Sequence, residues 1–336
     1  MKEVIILIKK ERKIPIKIKK LEASLRRVPF NHQNRKRIED ALAKSYAGFR
    51  GEQSLDYHLT CFSNEEYFIF HDLRLPGIEN TYFQIDTLVL SKRFVLILEV
   101  KNISGTLFFD QSFRQLIRTT NDKEDGFPDP LLQVRRQKLQ VESWLKKHQF
   151  QSPPIVAFIV ISNPSSIIKT DSHHKELFQT VLHAATLPTK VELLENRYQK
   201  EILTTKDLKR ISRLLIKQHT QANPDVLKQF QINKSEILPG VHCPDCLMLP
   251  LIKKRTGWFC HNCEVTYKNA HIQSLMDYFL LIRPTITNQQ FREFLQIQSM
   301  STTTKLLNAL NSQHSGRFKD RKYELSFSEL QARIIE

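Results

Sequence analysis

Residues 83–102 read FQIDTLVLSKRFVLILEVKN: two strongly apolar runs joined by the short polar turn SKR. Runs rich in Val, Ile, Leu and Phe, with a turn between them, form neighbouring strands. Yet this pair carries Asp86, Glu99 and Lys101. Burying a charge is costly unless it is paired or holds a metal, so the fold must compensate these three. Side chains repeat every second residue along a strand, which puts Ile97, Glu99 and Lys101 on one face and Leu96, Leu98 and Val100 on the other. If the first strand returns antiparallel across SKR, Asp86 lies near Glu99. Two adjacent carboxylates repel, and a divalent cation relieves the repulsion. A neighbouring lysine can position a water or neutralise developing negative charge. Together these are the parts of metal-assisted phosphodiester hydrolysis. The competing reading is a set of structural ion pairs at a sheet rim, because an isolated D-x12-E-x-K spacing also arises by chance.

The flanking chain predicts an α/β domain around this hairpin. EYFIFHDLRL, TYFQIDTLVL, RFVLILEVKN and TLFFD read as a meander of strands. Before them, Gly51 precedes an amphipathic helix with Leu55 and Leu59 on one face. Glu52 falls in its first turn, where the helix dipole alone already favours an acid. After them, DPLLQVRRQKLQVESWLKKH reads as a helix with Leu132, Leu139 and Leu145 among basic residues, and PPIVAFIVIS as a buried strand. Helix, strands, helix, strand is an α/β order.

Three blocks, GFRGEQSLDYHL, FQIDTLVLSKRFVLILEVKNISGTLFFD and FPDPLLQVRRQKLQVESWL, occur in this order. By them residues 46–162 resemble a nuclease-related domain, the NERD family of the PD-(D/E)xK nuclease superfamily. The resemblance implies a restriction-endonuclease-like mixed sheet flanked by helices. It makes Asp86, Glu99 and Lys101 the core triad and Glu52 the acid that completes a Mg²⁺ (or Mn²⁺) site with Asp86 and Glu99. Gln133 resembles the glutamine such nucleases place beside the active site. Ile85 stands where the superfamily name has proline, a position that varies. The resemblance also implies attack by water that leaves a 5′-phosphate. Asp56, Asp110 and His71 read as ordinary surface or turn residues, and His173 and His174 as loop.

Cys243, Cys246, Cys260 and Cys263 form two C-x2-C pairs with thirteen residues between them. Each pair suits a tight knuckle in which two thiolates grip one tetrahedral Zn²⁺, and four thiolates leave no open position, so the metal is structural. The segment reads as a zinc ribbon, with Trp258, Phe259 and Tyr267 as a small aromatic core. His242 and His261 adjoin the ligands without joining them, and the isolated Cys61 is a small core residue. Lys253, Lys254 and Arg255, beside an aromatic, suit a phosphate backbone. Beyond the ribbon, HIQSLMDYFLLI, TNQQFREFLQI, STTTKLLNALN and SGRFKDRKYELS resemble a winged helix-turn-helix. Thr302, Thr303, Thr304, Lys305 and Asn308 then lie on or near the recognition helix, with Arg317, Lys319, Arg321 and Lys322 in the wing against phosphates. A helical cap packed on the ribbon is the competing reading.

The expected organisation is a basic helical segment over 1–45, the nuclease-related domain over 46–162, a helical extension and linker over 163–238, the ribbon over 239–270 and the winged-helix-like module over 271–336. The formal net charge is +16, and residues 1–40 hold thirteen Lys and Arg against five acids. Such an excess favours an anionic partner, most often nucleic acid: DNA, with RNA undistinguished. The longest apolar run, IVAFIVI, is far short of the roughly 20 residues that span a bilayer. The N-terminus lacks a signal-peptide core, and the cysteine pattern fits a reducing cytoplasm. The sequence therefore predicts a cytoplasmic, metal-dependent, nuclease-like DNA-processing protein. Two other classes fit the same residues: a non-catalytic nucleic-acid-binding or regulatory protein that keeps the nuclease fold, and a protein–protein adaptor.

Overall fold

The computed structural model describes residues 7–62, 67–78, 81–171, 175–317 and 320–335. The chain begins with strand β1 (Ile8–Lys10), helices α1 (Ile16–Arg27) and α2 (Arg35–Ser54) and a 3₁₀ segment, Leu55–Phe62. Strands β2 (Phe68–Pro76), β3 (Tyr82–Leu90), β4 (Val95–Lys101), β5 (Thr106–Asp110), β6 (Gln115–Thr120) and β7 (Lys123–Pro128) follow, then α3 (Pro130–Lys147) and β8 (Ile155–Ile161). Next come β9 (Ile167–Thr170), α4 (Lys175–Thr180), β10 (Val181–His183), α5 (Leu187–Arg197), α6 (Thr205–Gln218) and α7 (Val226–Gln229). The remainder holds β11 (Ile252–Lys253), β12 (Trp258–Phe259), β13 (Thr266–Tyr267), α8 (Ala270–Leu281), β14 (Thr285–Thr287), α9 (Asn288–Leu295), α10 (Met300–Ala309), β15 (His314–Ser315), β16 (Lys322–Glu324) and α11 (Phe327–Ile335). The chain divides into two units: residues through Ile14 with Tyr46–Ala222, and Pro15–Ser45 with residues from Asn223 onward.

The first unit is built on a six-stranded mixed sheet in the order β1-β2-β3-β4-β8-β10. β2, β3 and β4 run antiparallel in sequence, and β4, β8 and β10 run parallel. Alternation sorts β4 as its pattern predicts. Ile97 packs with Val134, Val141 and Trp144 of α3 on one face. Leu96, Leu98 and Val100 pack with Leu55 and Leu59 and with Val191 of α5 on the other. Burying both faces explains why β4 and β8 are nearly continuous hydrophobic runs.

TLFFD is not part of the meander: β5 leaves it for a separate four-stranded sheet in the order β7-β6-β5-β9. Gly105, at φ +100°, turns the chain out, and a Cβ there would lie 2.5 Å from the Thr119 carbonyl oxygen. On α3, Leu139 is 62% exposed and Leu132 37%, while Leu131, Val134, Val141, Trp144 and Leu145 are buried. Of the three leucines read from the sequence, Leu145 lies in the buried stripe and Leu132 and Leu139 lie off it. Asp129 caps α3, accepting the Leu131 N–H at 2.8 Å, with Pro130 at the first helical position. α6 starts at a capping box, Thr204 with Asp207, and buries Leu208, Ile211 and Leu215.

The second unit has a single core that includes Leu21 of α1, Val241, Trp258, Leu275 of α8, Phe291 of α9 and Leu307 of α10. The ribbon strands β11-β12-β13 and the C-terminal strands β14-β16-β15 form two small sheets on that core. Trp258 is 1% exposed, and its Nε1–H donates to His271 Nδ1 at 3.2 Å. At the centre, Arg27 and Asp277 form an ion pair at 2.9 Å with both side chains fully buried. Among the described residues, no helix is long and apolar enough to cross a membrane.

Candidate active site and metal centre

The β3–β4 ladder pairs Leu90 with Val95 through Thr87 with Leu98. One step further in this register Asp86 falls opposite Glu99, where its Oδ2 accepts the Val100 N–H at 2.9 Å. The Asp86 side chain thus caps β4 where the ladder ends. Asp86 also marks a change of face on β3: Phe83 and Ile85 join the α3-side core before it, and Leu88 and Leu90 after it. Opposite this point, β2 has Asp72 in the left-handed region at φ 48°.

Glu99 is 3% exposed. Its Oε1 accepts from Lys101 Nζ at 2.7 Å and its Oε2 from Gln137 Nε2 at 2.8 Å. Lys101 Nζ also donates to Gln133 Oε1 at 3.0 Å. The strand pair and α3 therefore bring Asp86, Glu99, Lys101 and Gln133 together. Gln137 carries no motif of its own in the sequence; its one signal is that it lies four residues after Gln133 and hence on the same helical face.

Glu52 arrives from α2, and its setting differs from the expectation. It lies in the C-terminal turn of a helix that runs Arg35–Ser54, not in the first turn of a new one. There the helix dipole disfavours an acid, so the dipole does not account for it. A Cβ on Gly51 would lie 2.3 Å from Asn102 Cβ and 2.9 Å from Ser162 Oγ. Only glycine lets α2 press against the end of β4. Asn102 Nδ2 secures that contact by donating to the Ala47 carbonyl at 2.8 Å.

Glu52 Oε2 is held by Arg12 Nη1 at 2.7 Å, and Arg12 Nη2 also meets Asp56 Oδ1 at 3.2 Å, His71 Nδ1 at 2.9 Å and Thr87 Oγ1 at 3.3 Å. His71 is therefore not a surface residue, at 1% exposed; the Asp56 side chain stays 43% exposed and joins the cluster through Arg12. Asp110 is the turn residue expected, accepting from the Ser112 and Phe113 N–H groups at 3.0 Å each. Nothing in the basic N-terminal sequence distinguishes Arg12 from its neighbours.

Burial, then repulsion from Glu99 and Glu52, pushes Asp86 well above the usual carboxylate range. Burial raises Glu52 to about 7 against the pull of Arg12. Burial and the charges of Arg12 and Lys10 lower His71 to about 3, so it stays neutral. The acids are thus close enough for their charges to oppose one another. Among the described residues, however, only the four cysteines bring three or more ligand atoms within 4.8 Å of one another. The acid donors are all hard oxygens, and Asp86 Oδ1 and Glu52 Oε1 accept no hydrogen bond from a described residue. That donor set fits a hard divalent cation.

The cysteines form a closed site. Cys243 Sγ lies 3.8 Å from Cys263 Sγ, and Cys246 Sγ 3.6 Å from Cys260 Sγ. A tetrahedron with Zn–S bonds of about 2.3 Å has S···S edges of about 3.8 Å, so the four thiolates are placed to bind a metal such as zinc. His242 and His261 stand outside the cluster; His242 Nε2 lies 2.8 Å from the Arg26 carbonyl oxygen instead. Cys61 is half-buried against the core facing the 3₁₀ segment.

Lys253, Lys254 and Arg255 of the ribbon line one groove of about 800 Å³ together with Ser299, Thr302 and Lys305. None of these four cations has a carboxylate partner among the described residues. Thr303, expected at the same surface, is fully buried, and its hydroxyl donates to the Ser299 carbonyl at 3.1 Å. It faces the core. Arg317 is exposed and Arg321 half-buried. Lys319, and the histidines at 173–174, lie outside the described residues.

Residues 47–162 match the family described as the nuclease-related domain, NERD. Neither the curated proteins nor the solved structures contain a match to the chain. The matched span holds Glu52, Asp86, Glu99, Lys101, Gln133 and Gln137; Arg12, which contacts Glu52, falls outside it. Built on this sheet and these residues, the segment 47–162 is a nuclease-related domain.

Proposed function

We propose that the chain is a metal-dependent nuclease that hydrolyses DNA phosphodiesters at the end of β4. The observation that carries this reading is the lysine. Lys101 Nζ is held between Glu99 Oε1 and Gln133 Oε1. An ammonium has three donors, and two are spent on fixing its position. The third is free to orient the attacking water or to meet the charge that develops on a phosphoryl oxygen, a preorganised donor of the kind that lowers barriers most. Gln137 fixes Glu99 from the other side.

Asp86 and Glu99, assisted by Glu52, are the residues that would hold Mg²⁺ or Mn²⁺. Such an ion supplies charge neutralisation for the scissile phosphate and a water of lowered pKa. The groove lined by Lys253, Lys254, Arg255 and Lys305 suits a nucleic-acid backbone, since unpaired cations there release counterions on binding phosphates. The C-terminal order of helix, strand, two helices and hairpin supports the winged-helix reading, with Thr302 and Lys305 on the open face of α10 and Arg317 and Arg321 near the wing. We take the metal at the cysteines to be structural zinc.

Asp86→Asn tests the site without changing its shape. Wild type is expected to cut labelled DNA with Mg²⁺ or Mn²⁺, and the variant to cut at least about 100-fold more slowly, the scale of losing one electrostatic group from such a site. Equal cutting by both would refute the reading.

A further inference from the structure

We infer that Arg12, from outside the nuclease-related span, is a positioning residue of the acid site that acts through Glu52 and governs how the site takes a divalent cation. The inference rests on the nuclease reading. Its basis is one guanidinium shared by several elements. Nη1 holds Glu52 at the end of α2, while Nη2 contacts Asp56 of the 3₁₀ segment, His71 of β2 and Thr87 of β3. Thr87 directly follows Asp86, so Arg12 ties the helix that carries one acid to the strand that carries another.

The Arg12 side chain is 5% exposed, so it is placed to serve protein groups and not a phosphate arriving from solvent. Its delivery is also secured. β1 pairs parallel with β2, Ile8 opposite Ile69 and Lys10 opposite Phe70. Lys10 Nζ donates to the His71 and Asp72 carbonyls at 2.7 and 2.9 Å. Two residues later Arg12 enters the site. Neutral His71, offering Nδ1 as an acceptor, fits a guanidinium partner.

The consequence lies in which oxygen is used. Arg12 engages Glu52 Oε2, and no described residue donates to Oε1. Arg12 therefore fixes the carboxylate by one oxygen and leaves the other for a cation. Glu52 stands where its own helix dipole opposes it, so without Arg12 nothing else described orients it. Lysine could restore the charge but not the fork that reaches Glu52 and the Asp56–His71–Thr87 side at once.

A plain fold clamp would show the same contacts, so the test must separate the two. The full chain, with its cysteine site filled by zinc, is titrated calorimetrically with Mn²⁺ as wild type, Arg12→Ala, Arg12→Lys, Glu52→Gln and the Arg12→Ala/Glu52→Gln double variant. Arg12→Ala is expected to weaken Mn²⁺ binding by about ten-fold or more, the range for residues that orient metal ligands, with partial recovery in Arg12→Lys. In the Glu52→Gln background the same change is expected to shift affinity less than about two-fold, because the residue acts through Glu52. An equal loss in both backgrounds, or no loss in Arg12→Ala, overturns the inference. If Arg12→Ala does not fold, Arg12→Lys in the two backgrounds decides by the same comparison. If wild type itself takes up no Mn²⁺, the nuclease reading fails and the inference falls with it, an outcome distinct from loss of coupling in a protein that binds.

Discussion

Stripping the metal from the four cysteines is expected to unfold the core around Trp258 while the first unit stands. Cys243 and Cys260 are fully buried in the same core as Trp258, Leu251 and Leu275. Structural zinc contributes about 10–16 kcal/mol of apparent binding free energy in zinc-finger peptides at neutral pH. That matches or exceeds the whole stability of a typical domain, about 5–15 kcal/mol. The chain offers a clean reporter, because it has two tryptophans and they lie in different units, Trp144 on α3 and Trp258 in the ribbon. In a Trp144→Phe variant under reducing conditions, a zinc chelator should shift Trp258 emission to the red, and added Zn²⁺ should reverse the shift. In a Trp258→Phe variant, Trp144 emission should not move. An unmoved Trp258 signal would mean that the knuckles hold without metal.

The second large effect is expected from Asp277→Ala. Asp277 accepts from Arg27 Nε at 2.9 Å and from Arg26 at 2.8 and 3.1 Å, with both Arg27 and Asp277 sealed from solvent. Arg27 further donates to the Leu238 and Gly240 carbonyls at 3.1 and 2.8 Å. Removing the carboxylate leaves a buried guanidinium without its counter-charge, which costs about 3–5 kcal/mol. Replacing both partners, as Arg27→Met with Asp277→Leu, should recover most of the loss, since an apolar pair carries no desolvation penalty. Denaturant unfolding followed through Trp258 measures both. A single variant within 1 kcal/mol or so of wild type would contradict this account of the pair.

What the sequence disclosed, and what it hid, follows from the range of the interactions involved. Strand alternation put Glu99 and Lys101 on one face of β4, and the structure has them hydrogen-bonded there, because period two is a local property of the chain. The two C-x2-C pairs were equally legible, since a knuckle is local and thiolate chemistry leaves few other uses for it. The helix carrying Glu52 is hidden in the sequence because Gly51 looks like a helix break when its neighbours are unknown. Its real cause, contact with Asn102 and Ser162, is tertiary. Leu132 and Leu139 are conspicuous apolar residues of α3 in the sequence, yet the buried stripe is set by how the helix rolls onto the sheet. Thr303 was placed on a surface by its neighbours' chemistry, while the core claimed it. Arg12 was invisible for the same reason. An arginine among many basic residues acquires a role only when β1 pairs with a strand sixty residues away and carries it to Glu52.

The most direct test of the central claim is cleavage of labelled single- and double-stranded DNA with Mg²⁺ or Mn²⁺, comparing wild type with Glu99→Ala and Lys101→Ala. Glu99 links the strand to Gln137, and Lys101 links Glu99 to Gln133, so each substitution dismantles the site while leaving the sheet's apolar faces intact. Cutting by wild type, lost in both variants, is the predicted result. If no protein cuts, yet all three retain DNA in a gel shift that weakens steeply with salt, the hydrolytic role is contradicted and the nuclease-related domain belongs to a nucleic-acid-binding protein.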